Sequence, residues 1–260
     1  MLGTGTRTAR KPVDDWLIGT PVATTAFMTT PGHEAWHPDP EFYYRPGGGP
    51  LLDTGPYCLS VLVHLLGPVA EVTGAAATPR AERVIGSGPR AGQRFPVEVA
   101  THVTGVLEHA GGALSTLVTS FDAHAARLPR IEVHGTAGSL SVPDPNGFDG
   151  PVELYAAGRW QPLPVSVGHP GAGRGTGLAD LADALATGRP HLASAELAEH
   201  VQDAARPAGA SPSRRTSSRS ARPPGAPPAP TGRRRRSVPG RAAGRRSGLR
   251  CARHGSGRRP

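Results

Sequence analysis

The sequence predicts an α+β fold: a large, mainly antiparallel open β-sheet with helices on one face, plus a disordered C-terminal tail. Three observations carry this. Between residues 71 and 156 the chain runs through short β-rich segments separated by glycine-containing turns, several of them alternating apolar and polar residues. Apolar residues with helical spacing lie outside that stretch, near the N-terminus, over 51–66 and over 177–205. After Asp203 the periodicity ends in Arg, Pro, Gly, Ser and Ala, which give almost nothing to bury.

Residues 4–17 suit a short helix, which Pro12 kinks or shortens by removing a backbone donor and Gly19 ends. Residues 22–30 are β-rich and open a strand, and a Pro, Gly and His loop follows over 31–50. Over 51–66, Leu52, Leu59, Leu62, Val63 and Leu66 keep a helical spacing that sets Asp53 near the first turn, and Gly67-Pro68 stops the helix. Strands are predicted over 71–78, 97–108, 113–124, 130–134, 139–142 and 152–156. In the second of them Val97, Val99, Thr101 and Val103 alternate with Glu98, Ala100, His102 and Thr104, the pattern of a sheet with one wet face. Helices over 177–187 and 194–205 complete the covering layer.

Charge divides the chain in two. All 20 acidic residues precede position 204, against 13 basic ones before position 206, so the first 205 residues carry −7; the last 55 carry +16, all of it arginine. The overall +9 is therefore not the charge of a basic fold. Cys58 and Cys251 lie in different segments and build neither a disulfide framework nor a zinc cluster, which fits a reducing, cytoplasmic location. The N-terminus lacks the apolar core of about 7 to 15 residues of a signal peptide, and no stretch approaches the roughly 20 apolar residues that cross a bilayer.

Three readings of the tail compete. Arg233 to Arg236 and their neighbours suit phosphate contacts, but the tail holds no aromatic residue to stack on bases, which counts against a nucleic-acid partner. A solvated tail is the second reading. The third is translation out of frame, since this composition is what GC-rich codons yield in a shifted frame and it sets in within the amphipathic helix that starts at Ser194. No function is assigned to it.

Four motifs bear on chemistry. His33-Glu34-Ala35-Trp36-His37 has the spelling of a zinc-protease motif, but that chemistry needs a helix; Pro31-Gly32 before it and Pro38-Asp39-Pro40 after it point to a substrate-lining loop and no metal. Gly3-Thr4-Gly5 begins like a dinucleotide fingerprint but lacks the third glycine, the preceding strand and the βαβ unit, so it reads as a helix start and no residue is assigned to a cofactor. Lys11, the single lysine, reads as a surface charge. In Gly47-Gly48-Gly49-Pro50-Leu51-Leu52-Asp53-Thr54-Gly55-Pro56-Tyr57 the glycines let backbone approach a ligand, while Asp53 and Tyr57, four apart, share one side of a helix start and suit hydrogen bonding to a polyol and movement of a hydroxyl proton. The structural alternative is that Asp53 caps a helix and Tyr57 packs.

The run 32–68 from Gly32 through the glycines, Asp53 and Tyr57 to Pro68 resembles the C-terminal domain of the Gfo/Idh/MocA oxidoreductases, as do residues 130–152 with their Pro-Asp-Pro-Asn element and the helix pair 176–203. The resemblance covers residues 1–203. It implies a substrate and oligomerisation domain over 21–205, preceded at 1–20 by a helix from the junction with a missing dinucleotide-binding domain and followed by the tail 206–260. It also implies Asp53 and Tyr57 as catalytic residues, the tyrosine standing where the family commonly has histidine. His33, His37, Arg45, Gly48 and Gly49 are expected to contact substrate, on loop position alone. The family's Glu-Lys-Pro lysine has no counterpart here, Arg10-Lys11-Pro12 lying in the wrong place. The implied activity is NAD- or NADP-dependent oxidation of CH–OH groups in a sugar, inositol or related polyol, with neither cofactor binding nor turnover expected of this chain alone, and with a homo-oligomer formed through the sheet. The alternatives are a non-catalytic carbohydrate- or protein-binding sheet domain, a zinc hydrolase on His33, Glu34 and His37, or a nucleic-acid binder acting through the tail.

Overall fold

The computed structural model describes residues 2–168, 171, 173–206 and 216–219. Helix α1 (Thr4–Asp14) leads into strand β1 (Pro21–Thr29). A 3-10 turn (Pro40–Tyr44), a one-turn helix α2 (Pro50–Asp53) and α3 (Gly55–Leu66) follow. Next come β2 (Val69–Ala77), β3 (Glu82–Val84), β4 (Arg94–Pro96), β5 (His102–His109) and β6 (Leu114–Ser120). Then β7 (Ile131–Gly135), β8 (Ser139–Val142), β9 (Val152–Ala156) and β10 (Arg159–Leu163) lead to α4 (Thr176–Thr187) and α5 (Ala195–Ala205). Residues 216–219 add a short strand β11 (Thr216–Arg219) against β2. The rest of the predicted tail lies outside the described residues.

The main sheet runs β10-β9-β8-β7-β1-β6-β5-β2-β11. Every neighbouring pair is antiparallel except β1 and β6, whose seven partners from Ala23↔Leu114 to Thr29↔Ser120 run parallel. That departs from a simple meander, and it follows from the long connection between them, which lets β6 return beside β1 in the same direction. One face is buried: Ala26 and Met28 of β1, Leu107, Leu117, Val133, Leu140, Val142 and Val152 meet Cys58, Leu59, Leu62 and Leu65 of α3 and Ala9 of α1. Each fully buried leucine there contributes about 1.5–3 kcal/mol. Helix α1 is thus part of the same core as the sheet. The opposite face is open, and one register row, Leu114, Ala23, His134, Ser139, Tyr155 and Trp160, crosses six strands on it.

Four sequence expectations change. The helix expected over 51–66 is broken at Thr54, whose hydroxyl donates to the carbonyl of Pro50 at 2.7 Å, because Pro56 has no amide hydrogen to carry the ladder through. The strand expected over 97–108 begins at His102; Val97 and Glu98 instead donate their amides to Ala81 and Tyr44 carbonyls. The excursion before it forms a separate hairpin, β3 with β4. Strand β10 was not predicted: it pairs with β9 through a two-residue turn in which Ala157 (φ 51°) and Gly158 (φ 82°) are both left-handed, the geometry that matches strand twist in a tight hairpin.

Candidate functional site

The loop after β1 carries most of the predicted site residues, and a buried cation holds it in place. Arg83 of β3 is 3% exposed. Its guanidinium binds Glu34 Oε1 at 2.5 Å and Asp122 Oδ1 at 2.5 Å, donates to the carbonyls of Pro31 (3.1 Å) and Phe121 (3.0 Å), and lies 5.0 Å from the centre of the Tyr44 ring. Tyr44 donates to the other Glu34 oxygen, and burial together with that carboxylate raises its pKa. Asp122 is completed by Thr101, whose hydroxyl donates at 2.6 Å. A carboxylate so occupied is not available to activate a water, and residues 33–37 form turns rather than a helix, so the zinc reading falls; among the described residues no group of three or more metal-ligating side chains occurs.

From this anchored loop His33 reaches Asp53 at the end of α2: its Nε2 donates to Asp53 Oδ2 at 3.0 Å. Asp53 thus caps no helix, and neither α2 nor α3 has a side-chain cap. In a neutral imidazole this bond places the proton on Nε2 and leaves Nδ1 with a lone pair. Tyr43, Trp36 and Phe121 wall the imidazole at ring-centre distances of 4.1, 5.4 and 4.7 Å. Burial, then the charge of Asp53, then Tyr57 raise the Tyr43 pKa.

Tyr57, on the first turn of α3 and 38% exposed, lines a cleft of about 330 Å³ with Ser60, Asn146, Phe148, Arg174 and the start of α1. Asn146 belongs to the Pro-Asp-Pro-Asn element, and its amide donates to Asp144 Oδ1 at 2.9 Å, which shapes the turn that faces the cleft. A smaller depression of about 150 Å³ lies near Thr8, Lys11, Asp15, Leu163 and Ser166 and includes none of the predicted site residues.

The remaining predicted residues fall elsewhere. His37 accepts the amide of Asp39 on Nδ1 at 3.0 Å and rings with Trp36 and Phe42. Arg45 is exposed and is not among the residues lining the cleft. Gly48 and Gly49 have backbone reasons of their own. A Cβ on Gly48 would stand 2.6 Å from the Phe42 carbonyl oxygen, and Gly49 is left-handed (φ 88°) against the Ala100 carbonyl. Tyr43, Arg83, Asn146 and Arg174 were not foreseen; the signal that was available is aromatic density, since of three Trp, four Tyr and five Phe in the chain, Trp36, Phe42, Tyr43 and Tyr44 fall within nine residues.

The sequence profile described as the GFO/IDH/MocA C-terminal domain matches residues 6–141, more than half of the chain. The chain belongs to the Gfo/Idh/MocA family of oxidoreductases. No curated protein matches the sequence. Solved structures share the fold of this Gfo/Idh/MocA domain. A levoglucosan dehydrogenase in complex with NADH and L-sorbose is 21% identical, with a TM-score of 0.58 over 78% of this chain and 59% of its own. An NAD binding oxidoreductase from Klebsiella pneumoniae is 22% identical, with a TM-score of 0.63 over 78% and 60%. An aldose-aldose oxidoreductase from Caulobacter crescentus, complexed with glycerol, is 21% identical, with a TM-score of 0.58 over 78% and 58%. The chain therefore spans less than two thirds of the length of these structures.

Proposed function

We propose that this chain is the substrate-side domain of an oxidoreductase that acts on a CH–OH group of a sugar, inositol or related polyol, with Asp53, His33 and Tyr57 handling the hydroxyl. The observation that carries the proposal is the Asp53–His33 bond at 3.0 Å; Tyr57, four residues after Asp53, lines a cleft whose walls include neither of the two. Levoglucosan, L-sorbose and glycerol, named with structures of the same fold, support a polyol as the ligand class.

Oxidation of a carbinol releases a hydride from carbon and a proton from oxygen. In the reading offered here Tyr57 hydrogen-bonds the reacting oxygen, and the His33–Asp53 pair takes the proton: the imidazole accepts it on Nδ1 while the carboxylate stabilises the cation that forms. Ser60, Asn146 and Arg174 hold further hydroxyls. NAD or NADP is the proposed hydride acceptor; NADH and NAD are named with the similar structures. The described residues do not fit a dinucleotide: the one parallel strand pair, β1 and β6, has no glycine-rich turn into a helix, and Gly3-Thr4-Gly5 opens α1 with no strand before it. This chain alone is expected to bind polyol but not to turn it over.

Subunits pair, in this proposal, through the open sheet face, where Val106, Leu114, Tyr155 and Trp160 are 40–47% exposed. Among the described residues no helix is long and apolar enough to cross a membrane, and the cytoplasm is the proposed location. Titrating the full chain with levoglucosan, myo-inositol, glucose and glycerol by calorimetry tests the reading. Binding of at least one of them, weakened at least about tenfold in Asp53→Asn as loss of a charged hydrogen bond requires, is expected. Absence of binding to all four, or equal binding by the variant, would overturn it.

A further inference from the structure

Trp36, which walls His33 with one edge contact, and Phe42 are 60% and 55% exposed, while Tyr44 and Phe121 in the same cluster are fully buried. Folding leaves two large aromatic surfaces in water on a loop that Arg83 ties down through Glu34. His37 lies between the two rings, edge-on to each at 5.3 Å. Tyr43 packs at a tilt against Phe42 and against His33, each at 4.1 Å between ring centres, so an unbroken path of rings runs from the exposed pair to the Asp53 site.

The hydrogen bonding of His37 adds polarity to this shelf. Its Nδ1 accepts the amide hydrogen of Asp39 at 3.0 Å. The neutral ring therefore carries its proton on Nε2, which is left as a donor between an indole and a phenyl. Exposed aromatic faces with an N–H beside them are complementary to a sugar ring, whose C–H face is apolar and whose rim carries hydroxyl acceptors. It does not suit a small acyclic polyol, which has no ring face to cover it.

We propose that Trp36, His37 and Phe42 form a second ring-binding subsite, which holds the ring adjoining the one oxidised beside Asp53, so that the preferred substrate is a two-ring glycoside. This rests on the polyol reading of the Asp53 site. The subsite sets specificity; it contributes no group to the reaction.

The test compares glucose with the disaccharides maltose and cellobiose in calorimetric titrations of the full chain, wild type and Trp36→Ala, with Trp36→Phe as the conservative variant and circular dichroism melts as the check on folding. One disaccharide is expected to bind about tenfold tighter than glucose, which a good ring contact supplies. Trp36→Ala brings that ratio close to one and Trp36→Phe keeps part of it, whereas Asp53→Asn lowers both affinities together. A ratio of one in the wild type, or a ratio that Trp36→Ala and Phe42→Ala leave intact, overturns the subsite while glucose binding keeps the Asp53 reading. Failure of the wild type to bind any sugar overturns the Asp53 reading itself.

Discussion

Replacing Arg83 by methionine is the perturbation with the largest consequence for the loop that carries the site. The side chain is 1% exposed and its two carboxylate partners 14% each, so none of the three charges can fall back on water. Arg83→Met leaves Glu34 and Asp122 without their shared cation and strips a donor from the carbonyls of Pro31 and Phe121. Removing one member of such a buried network costs about 3–5 kcal/mol, because the remaining charges stay buried and uncompensated. The control is Arg94→Met, whose pair with Glu82 at 3.2 Å has both ends more than half exposed; its loss should cost at most about 1 kcal/mol. Urea unfolding followed by circular dichroism measures both, read from midpoint shifts at unchanged slope. Combining Arg83→Met with Glu34→Gln and Asp122→Asn should recover much of the loss, since it removes the orphaned charges. The reasoning is refuted if Arg83→Met costs no more than Arg94→Met, or if the triple variant is less stable than Arg83→Met alone.

Other predictions follow from single positions. His64 on α3 has a buried Nε2 without a partner, and burial, aided by the nearby Arg10 cation, lowers its pKa to about 4. The unfolded chain takes up this proton near its ordinary value of 6.5 and the folded chain does not until about 4, so the stability that His64 contributes is full above 6.5 and is lost as pH falls from 6.5 towards 4. Between pH 7.5 and pH 5 the wild type should lose about 2 kcal/mol more than His64→Gln in urea melts, and equal losses would contradict the assignment. Gly48→Ala should lower the melting temperature well beyond Gly47→Ala. The first puts a Cβ 2.6 Å and 2.7 Å from two backbone oxygens, whereas the second meets open space and bears only left-handed strain (φ 92°) of about 1–2 kcal/mol. Trp160→Ser with Tyr155→Ser should shift the chain towards monomer in light scattering at unchanged melting temperature; a wild type that is monomeric at high concentration would contradict pairing through the sheet.

What the sequence made legible was local. Strands β8 and β9 and helices α4 and α5 were read to within a residue, because alternation, glycine turns and the Ser194 cap, which accepts the Leu197 amide, are signals carried within a few positions. Alternation misled over 97–101, where apolar Val97 packs on the Tyr44 and Phe121 cluster from a loop rather than from a strand. Strand β10 escaped because Arg-Trp-Gln-Pro-Leu contains a proline, which counts against a strand unless it lies at an edge, as it does here. Asp53 and Tyr57 stood out by spacing; in the structure Asp53 bonds His33 and Tyr57 lines a cleft. The bond from Asp53 to His33 joins residues 20 apart, and Arg83 meets Glu34 and Asp122 across 49 and 39 positions. No local pattern marks such partners; only the folding of the loop onto the β3–β4 hairpin brings them together.

The central claim is that Asp53 and His33 act as one unit in holding a polyol hydroxyl. A double-mutant cycle on polyol affinity tests it most directly, using the full chain, Asp53→Asn, His33→Gln and the double variant. If the pair is one unit, each single variant weakens binding and the double variant is scarcely weaker than the worse of the two. If the two losses simply add, the residues act independently and the account of the site is wrong.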